Sequence, residues 1–162
     1  MPTSHYRRVR EFMQKAGQET PGAPVIPDEE TRLLRAKLIL EEALETVKAL
    51  GVGVRVTTGD GTEVDFSHVD HLDFFPQGEV NLEGVVDGCA DVSVVTIGTL
   101  IAFGVDDEPI LEEVDRANLR KFAPGSYRRD DGKWIKPPGW TPPDILGTIE
   151  RQEEIGSVEP GS

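Results

Sequence analysis

Residues 38–47 read LILEEALETV and residues 85–98 read VVDGCADVSVVTIG, and these two stretches decide the fold. Each stretch places acidic residues within an apolar, helix-like pattern. At about 100° per residue, Glu41 and Glu45 lie roughly 40° apart around a helix, and so do Asp87 and Asp91. The sequence therefore predicts two acidic clusters on narrow helix faces: a glutamate cluster (Glu41, Glu42 and Glu45) and an aspartate cluster (Asp87 and Asp91).

The segment that carries the aspartate cluster is rich in Val, Ile and Thr, and propensity alone would allow strands there. Its length decides for a helix. From Asn81 to Phe103 the chain has neither proline nor a paired turn signal, and this exceeds the length of an ordinary strand. We therefore expect one long helix.

The remaining segments predict further helices and one hairpin. A short amphipathic helix should end at Gly17, and a second helix should run from about residue 29 to 50, with Asp28 as its N-cap. A helix capped by Asp106 or Asp107 should end near Lys121. A last helix is expected over about 143–155, and β-branched residues around Gly59-Asp60-Gly61 predict a hairpin over 52–66.

Together these elements predict an all-α protein, a bundle of four to five helices with a small β-hairpin insertion. We expect a single domain over residues 1–155, because 162 residues suffice for one core and are too few for two domains. Residues 123–143 are too rich in Gly and Pro for a helix and should lie extended. Residues 156–162 should form a disordered tail.

Composition excludes several classes of function. The formal charge is −13, with 30 acidic against 17 basic residues, which argues against nucleic-acid and anionic-lipid partners. The N-terminus lacks the apolar core of a signal peptide, and the longest apolar stretch, 92–103, is shorter than the roughly 20 residues of a membrane span. The single cysteine, Cys89, predicts a buried helical position in a reducing compartment. We expect a soluble, cytoplasmic protein.

The two acidic clusters together predict a metal site. Solvated helix faces usually pair acids with Lys at i+4, yet Glu45 has Ala49 at that position, and no Lys or Arg occurs between residues 56 and 115. Five carboxylates brought together inside a fold would repel each other unless cations bound between them, and oxygen ligands suit Mg²⁺ or Mn²⁺. The alternative is a solvated face, which the apolar surroundings make less favourable.

Two basic segments follow. In DRANLRKF (115–122), Asn118 and Lys121 lie one turn apart. Such a run commonly complements a helix dipole, but beside a metal site an amide and a cation would suit the oxygens of a polyphosphate. In KWIKPPGW (133–140), Lys133 and Lys136 accompany Trp134 and Trp140, and these can clamp phosphate and stack on a base, or seal the bundle.

Four motifs occur along the chain in the order EEALE, DxxxD, RANLRKF and DDGKWIKPPGWTPPDI. With these motifs in this order, the chain resembles the MazG-like all-α nucleoside triphosphate pyrophosphohydrolases, particularly short phage forms, over about residues 6–147. The resemblance implies two or three Mg²⁺ or Mn²⁺ ions held by Glu41, Glu42, Glu45 and Asp91, with Asp87 completing the set. Many relatives carry Glu three residues before the second-helix Asp, where this chain has Gly88, so Asp87 must substitute.

The resemblance also implies cleavage of a (d)NTP between the α and β phosphates, by a homodimer or homotetramer. Glu41 or Glu42 would be the catalytic base, and Asn118, Lys121, Lys133, Lys136 and Trp134 would bind substrate. The phage forms that cleave guanine nucleotides make dGTP or GTP credible substrates. Two alternatives stay open: phosphoribosyl-ATP hydrolysis, and a non-catalytic acidic protein that binds a basic partner.

Overall fold

The computed structural model describes residues 3–66, 69, 72–129 and 134–158. The described residues form the helices α1 (Ser4–Lys15), α2 (Glu29–Ala49), α3 (Leu82–Ala102), α4 (Asp107–Arg120) and α5 (Ile145–Val158). Strands β1 (Arg55–Thr57) and β2 (Glu63–Asp65) form one antiparallel hairpin, and β3 (Tyr127–Arg128) and β4 (Trp134–Ile135) form another. The predicted all-α class with a small hairpin insertion is confirmed.

The chain divides into two compact units. One unit comprises residues 1–23 and 83–162, and so contains α1, α4, α5, the second hairpin and all but the first residue of α3. The other comprises residues 24–82, with α2 and the first hairpin. The single domain expected over 1–155 stays a prediction.

The ends of the first two helices follow the sequence signals. The backbone N–H of Thr31 donates to Asp28 Oδ1 at 2.7 Å, and hydrogen bonds from Thr31 hold the pKa of Asp28 below its usual value. Gly17 and Gly51 follow α1 and α2 with φ of +75° each. Glycine suits these positions because other residues adopt a left-handed conformation only with strain.

Three details differ from expectation. Asp106 occupies the N-cap of α4, but its side chain makes no capping hydrogen bond; its backbone N–H donates to Gln152 Oε1 of α5 at 2.9 Å. The segment expected to lie extended over 123–143 contains the second hairpin, where Tyr127 pairs with Ile135. Helix α5 continues to Val158, into the predicted tail, and residues 159–162 lie outside the described part of the chain.

Helix α3 is exposed along most of its length. It has no buried residue, and Val86, Val94 and Ile101 are 63%, 69% and 71% exposed. The prediction that Cys89 is buried is wrong, because the surface of α3 around it is open. By length and composition alone, α3 is long and apolar enough to cross a membrane. The helix begins ten residues before the apolar stretch 92–103, and most of those residues are also apolar or small.

Candidate functional site

The glutamate cluster lies in the C-terminal half of α2. Glu41 is partly exposed, and Glu42 and Glu45 are exposed. Leu44, between them, is 8% exposed and is one of the few buried hydrophobic residues of the described chain. Leu44 is thus the buried residue of α2, while Glu42 and Glu45 on either side of it are exposed to solvent.

The aspartate cluster lies in the first half of α3, and both Asp87 and Asp91 are exposed. Four residues separate them, so their side chains project from the same helix face about one turn apart. Apart from Glu83 in the first turn, they are the charged residues of this helix. Together they therefore form a pair of like charges on an otherwise apolar surface.

The carboxylates of both clusters have no protein partners in the described residues. No hydrogen bond or ion pair within 3–66, 69, 72–129 and 134–158 reaches the side chains of Glu41, Glu42, Glu45, Asp87 or Asp91. Unpartnered, all-oxygen donors are the ligand chemistry that Mg²⁺ and Mn²⁺ require. The donor set therefore fits the predicted ions.

The two clusters belong to different units, α2 to one and α3 to the other. Within each unit, the described residues hold no group of three His, Cys, Asp or Glu side chains placed to bind a metal ion. The convergence of both clusters on shared ions stays a prediction.

The predicted pair at the end of α4 is in contact. Lys121 Nζ donates to Asn118 Oδ1 at 2.7 Å, and both residues are half-buried. The same ammonium lies 5.8 Å from the ring centroid of Phe12 and 5.9 Å from that of Trp140. Cation–π attraction and the amide oxygen hold Lys121 in one place, so its charge is fixed beside α4.

The tryptophan segment, residues 134–140 with Trp134 and Trp140, packs against the same end of α4. Trp140 Nε1 donates to the backbone oxygen of Ala117 at 3.0 Å, and Lys136 Nζ lies 3.9 Å from the centroid of the Trp140 ring. Trp134 meets Phe122 edge to face, with ring centroids 5.0 Å apart. These contacts show that the two tryptophans pack against α4 and against Phe122 just beyond its end, and so help to hold this unit together. Lys133, also predicted to bind substrate, lies outside the described residues.

Sequence patterns did not identify the most buried carboxylate of the described residues. The side chain of Asp115 on α4 is 3% exposed, and it accepts hydrogen bonds from Arg8 Nε at 2.7 Å and His5 Nδ1 at 2.8 Å. The hydrogen bond to Asp115 raises the pKa of Arg8. Helix α1 is thereby tied to α4, and because more than 100 residues separate the partners, no local spacing reveals the contact.

Comparison with known proteins gives two findings. The model of a family described as phosphoribosyl-ATP pyrophosphohydrolase matches residues 9–118, which include both acidic clusters and Asn118. The structure resembles that of a candidate NTP pyrophosphohydrolase from Exiguobacterium sp. 255-15, with a TM-score of 0.70 and 21% identity, over 96% of this chain and 99% of that one. At this identity the likeness shows the fold, which is the MazG-like all-α fold. No curated protein matches the chain.

Proposed function

Because the chain belongs to the phosphoribosyl-ATP pyrophosphohydrolase family, we propose that it is a metal-dependent nucleoside triphosphate pyrophosphohydrolase. The observation that supports this most directly is the set of five carboxylates on α2 and α3 without protein partners. In the proposed reaction, a water oxygen attacks the α phosphorus. The bond from that phosphorus to the αβ bridging oxygen breaks, and pyrophosphate leaves with the bonding electrons. The products are (d)NMP and pyrophosphate.

The residues proposed to hold two or three Mg²⁺ or Mn²⁺ ions are the glutamate and aspartate clusters, with Glu45 and Asp91 as the central ligands. When bound, the ions would lower the pKa of a water molecule and neutralise the triphosphate. A carboxylate that is not fully engaged with metal, Glu41 or Glu42, would accept the proton of the attacking water.

The leaving pyrophosphate requires cations close to its oxygens. Lys121 supports this role because its ammonium is held in place by Asn118 and two aromatic rings, so little conformational freedom is lost when an anion binds. Lys136 is exposed and lies over the Trp140 ring, and Trp134 precedes it in the chain by two residues. We assign Lys133 to the same role from the sequence alone.

Two substrate classes follow from the findings. The sequence resemblance to phage enzymes favours (d)NTPs, with dGTP and GTP as the first to test. The match to a phosphoribosyl-ATP pyrophosphohydrolase family specifically favours phosphoribosyl-ATP as the second candidate. Purified protein supplied with each compound and Mg²⁺ or Mn²⁺ distinguishes them by the rate of pyrophosphate release.

We place the active protein in a homodimer or homotetramer, formed through α3. The apolar side chains of α3 are largely exposed, and a Cβ added at Gly88 or Gly98 would meet nothing within 4 Å. A second copy would bury two such helices in one symmetric contact. Gly98→Leu should therefore leave folding intact and give a monomer in light scattering. Flotation of the chain with liposomes, without self-association, would instead assign α3 to a lipid surface.

The metal site is tested with Glu45→Gln, which keeps the shape of the side chain and removes its charge. We expect at least a 100-fold loss of Mn²⁺-dependent pyrophosphate release, with an unchanged circular dichroism spectrum. Glu79→Gln removes one exposed charge outside both clusters and should leave the rate unchanged. Retained activity in Glu45→Gln would exclude this site, and no release from any nucleotide by the unmodified protein would favour the non-catalytic acidic binding protein.

A further inference from the structure

The unit of residues 24–82 contains a pocket beside the glutamate cluster. It is an open pocket of about 370 Å³ between the C-terminal half of α2 and the first hairpin. Its walls include the side chains of Leu44, Val47 and Lys48 from α2, and those of Val52, Val54 and Phe66 from the connection and the hairpin. This volume lies within the range of small-molecule sites, and an apolar lining with one polar group is typical of them.

Backbone hydrogen bonds shape the pocket. The N–H of Val52 donates to Val47 O at 3.3 Å as the chain leaves α2, and the N–H of Phe66 donates to Val54 O at 2.9 Å, which extends the pairing of β1 with β2. At the tip of the hairpin, hydrogen bonds from Thr58 and Thr62 lower the pKa of Asp60 to about 2. The hairpin is therefore closed at both ends, and Phe66 is held against Val54.

The pocket lies close to the proposed phosphate site along α2. Leu44 immediately precedes Glu45, and Lys48 follows Glu45 by three residues, so it lies on nearly the same side of the helix. Seven residues, about two turns, separate Glu41 from Lys48, and this spacing also returns to nearly the same face. A nucleotide joins its base to its α phosphate through one ribose, so its base needs a pocket directly beside the carboxylates.

We propose that this pocket binds the base of the nucleotide substrate, with Phe66 and the aliphatic side chains against the base and Lys48 facing its edge. This inference rests on the proposed function. Lys48 has three donors and no acceptor, and in the described part of the chain it makes no ion pair. A donor-only side chain pairs with carbonyl oxygens and not with amino groups.

The pocket therefore selects bases by the group that they present to Lys48. Guanine, thymine and uracil carry carbonyl oxygens at the position where adenine and cytosine carry amino groups. Lys48 should therefore favour guanine, thymine and uracil. Stacking on Phe66 should stabilise all bases to a similar degree, since stacking on an aromatic ring is tolerant of base identity. The hairpin insertion thus contributes to base binding through Phe66, and Lys48 of α2 provides the specificity.

The test compares kcat/KM for dGTP, dTTP, dATP and dCTP between the full chain and the variants Lys48→Met and Phe66→Ala, with Mn²⁺. Lys48→Met should reduce the preference for dGTP over dATP by about tenfold. Phe66→Ala should lower kcat/KM for all four by about tenfold. Lys15→Met removes a lysine charge from α1 and should change neither the preference for dGTP over dATP nor kcat/KM for any of the four nucleotides.

A second measurement separates this inference from the proposed activity. Calorimetric titration of dGMP and dAMP without metal reports nucleotide binding independently of the metal ions and of pyrophosphate release. If no nucleotide yields pyrophosphate, but dGMP binds and Phe66→Ala weakens that binding, the pocket stands and the proposed function fails. If pyrophosphate is released and Lys48→Met keeps the base preference, or if Phe66→Ala and Phe66→Leu bind dGMP as tightly as the unmodified chain, the pocket assignment is wrong. Melting curves establish that each variant is folded.

Discussion

The charges around α4 and the charges on α2 and α3 are arranged in opposite ways. Asp115 on α4 is almost fully buried, and its carboxylate is in contact with Arg8 and His5. The five carboxylates of the glutamate and aspartate clusters are exposed or partly exposed, and no described residue pairs with them. A folded chain tolerates a buried charge only when it is paired, but unpaired acids on an apolar helix contribute nothing to folding. The first region serves stability, and we propose that the second binds metal ions.

The largest change in stability should come from removing the buried carboxylate of Asp115. Asp115→Ala would remove the main partner of the partly buried Arg8 guanidinium, whose side chain is 20% exposed, so we expect the free energy of unfolding to fall by about 3 kcal/mol. Urea denaturation measures this change. Glu112→Ala, which removes the exposed partner of Arg116 on the same helix, should cost about 0.5 kcal/mol or less. Equal losses in the two variants would contradict the assignment of Asp115 to the core.

A somewhat smaller loss of stability is expected when Asp91 of the aspartate cluster is replaced, and this loss should appear only when a divalent metal ion is present. Without divalent ions, Asp91→Asn should melt at the same temperature as the unmodified chain or higher, because it removes the repulsion between Asp91 and Asp87. Mn²⁺ at about 100 times its Kd should stabilise the unmodified chain by about 2.7 kcal/mol, and Asp91→Asn should lose most of that gain.

Thermal melts with and without Mn²⁺ provide the measurement. Glu79→Gln is the matched control, since it removes one exposed charge and should retain the full Mn²⁺ shift. A full Mn²⁺ shift in Asp91→Asn would show that this carboxylate does not bind the ion, and would remove the contrast between the two regions.

Local patterns predicted the elements of this fold well. Apolar spacing located α2, the length of the segment without proline or turn signals located α3, Asp28 marked the start of α2, and Gly59-Asp60-Gly61 marked the first hairpin. These features depend on residues within a few positions of each other. The second hairpin was missed because β3 and β4 contain two residues each, too few to show alternation.

The site was predicted less completely, because its parts depend on distant contacts. The contact of Asn118 with Lys121 follows from one-turn spacing, but the aromatic rings around Lys121 come from α1 and from the tryptophan segment. Cys89 was expected in a core because its neighbours are apolar, and the exposure of α3 shows that an apolar helix need not be covered within its own chain. The association of helices cannot be derived from periodicity.

The smallest effect should come from Glu113, which lies in the paired region but near its surface. The backbone N–H of Asp144 donates to Glu113 Oε1 at 3.1 Å, and Arg120 lies 3.3 Å from the same oxygen. The hydrogen bond from Asp144 is the main cause that lowers the pKa of Glu113, and Arg120 adds to it. A pKa lower in the folded state contributes stability that is present above the unfolded value and is lost as pH falls through the folded value.

Glu113→Gln should therefore cost about 1 kcal/mol at pH 7, and the difference should shrink as the pH is lowered below about 4. Melting temperatures at a series of acidic pH values measure this convergence. Glu150→Gln, an exposed change on α5, should give a curve parallel to that of the unmodified chain. If the curve of Glu113→Gln is also parallel, the charge of Glu113 does not stabilise the contact between α4 and the start of α5. The contrast between paired and unpaired acids would then be limited to Asp115.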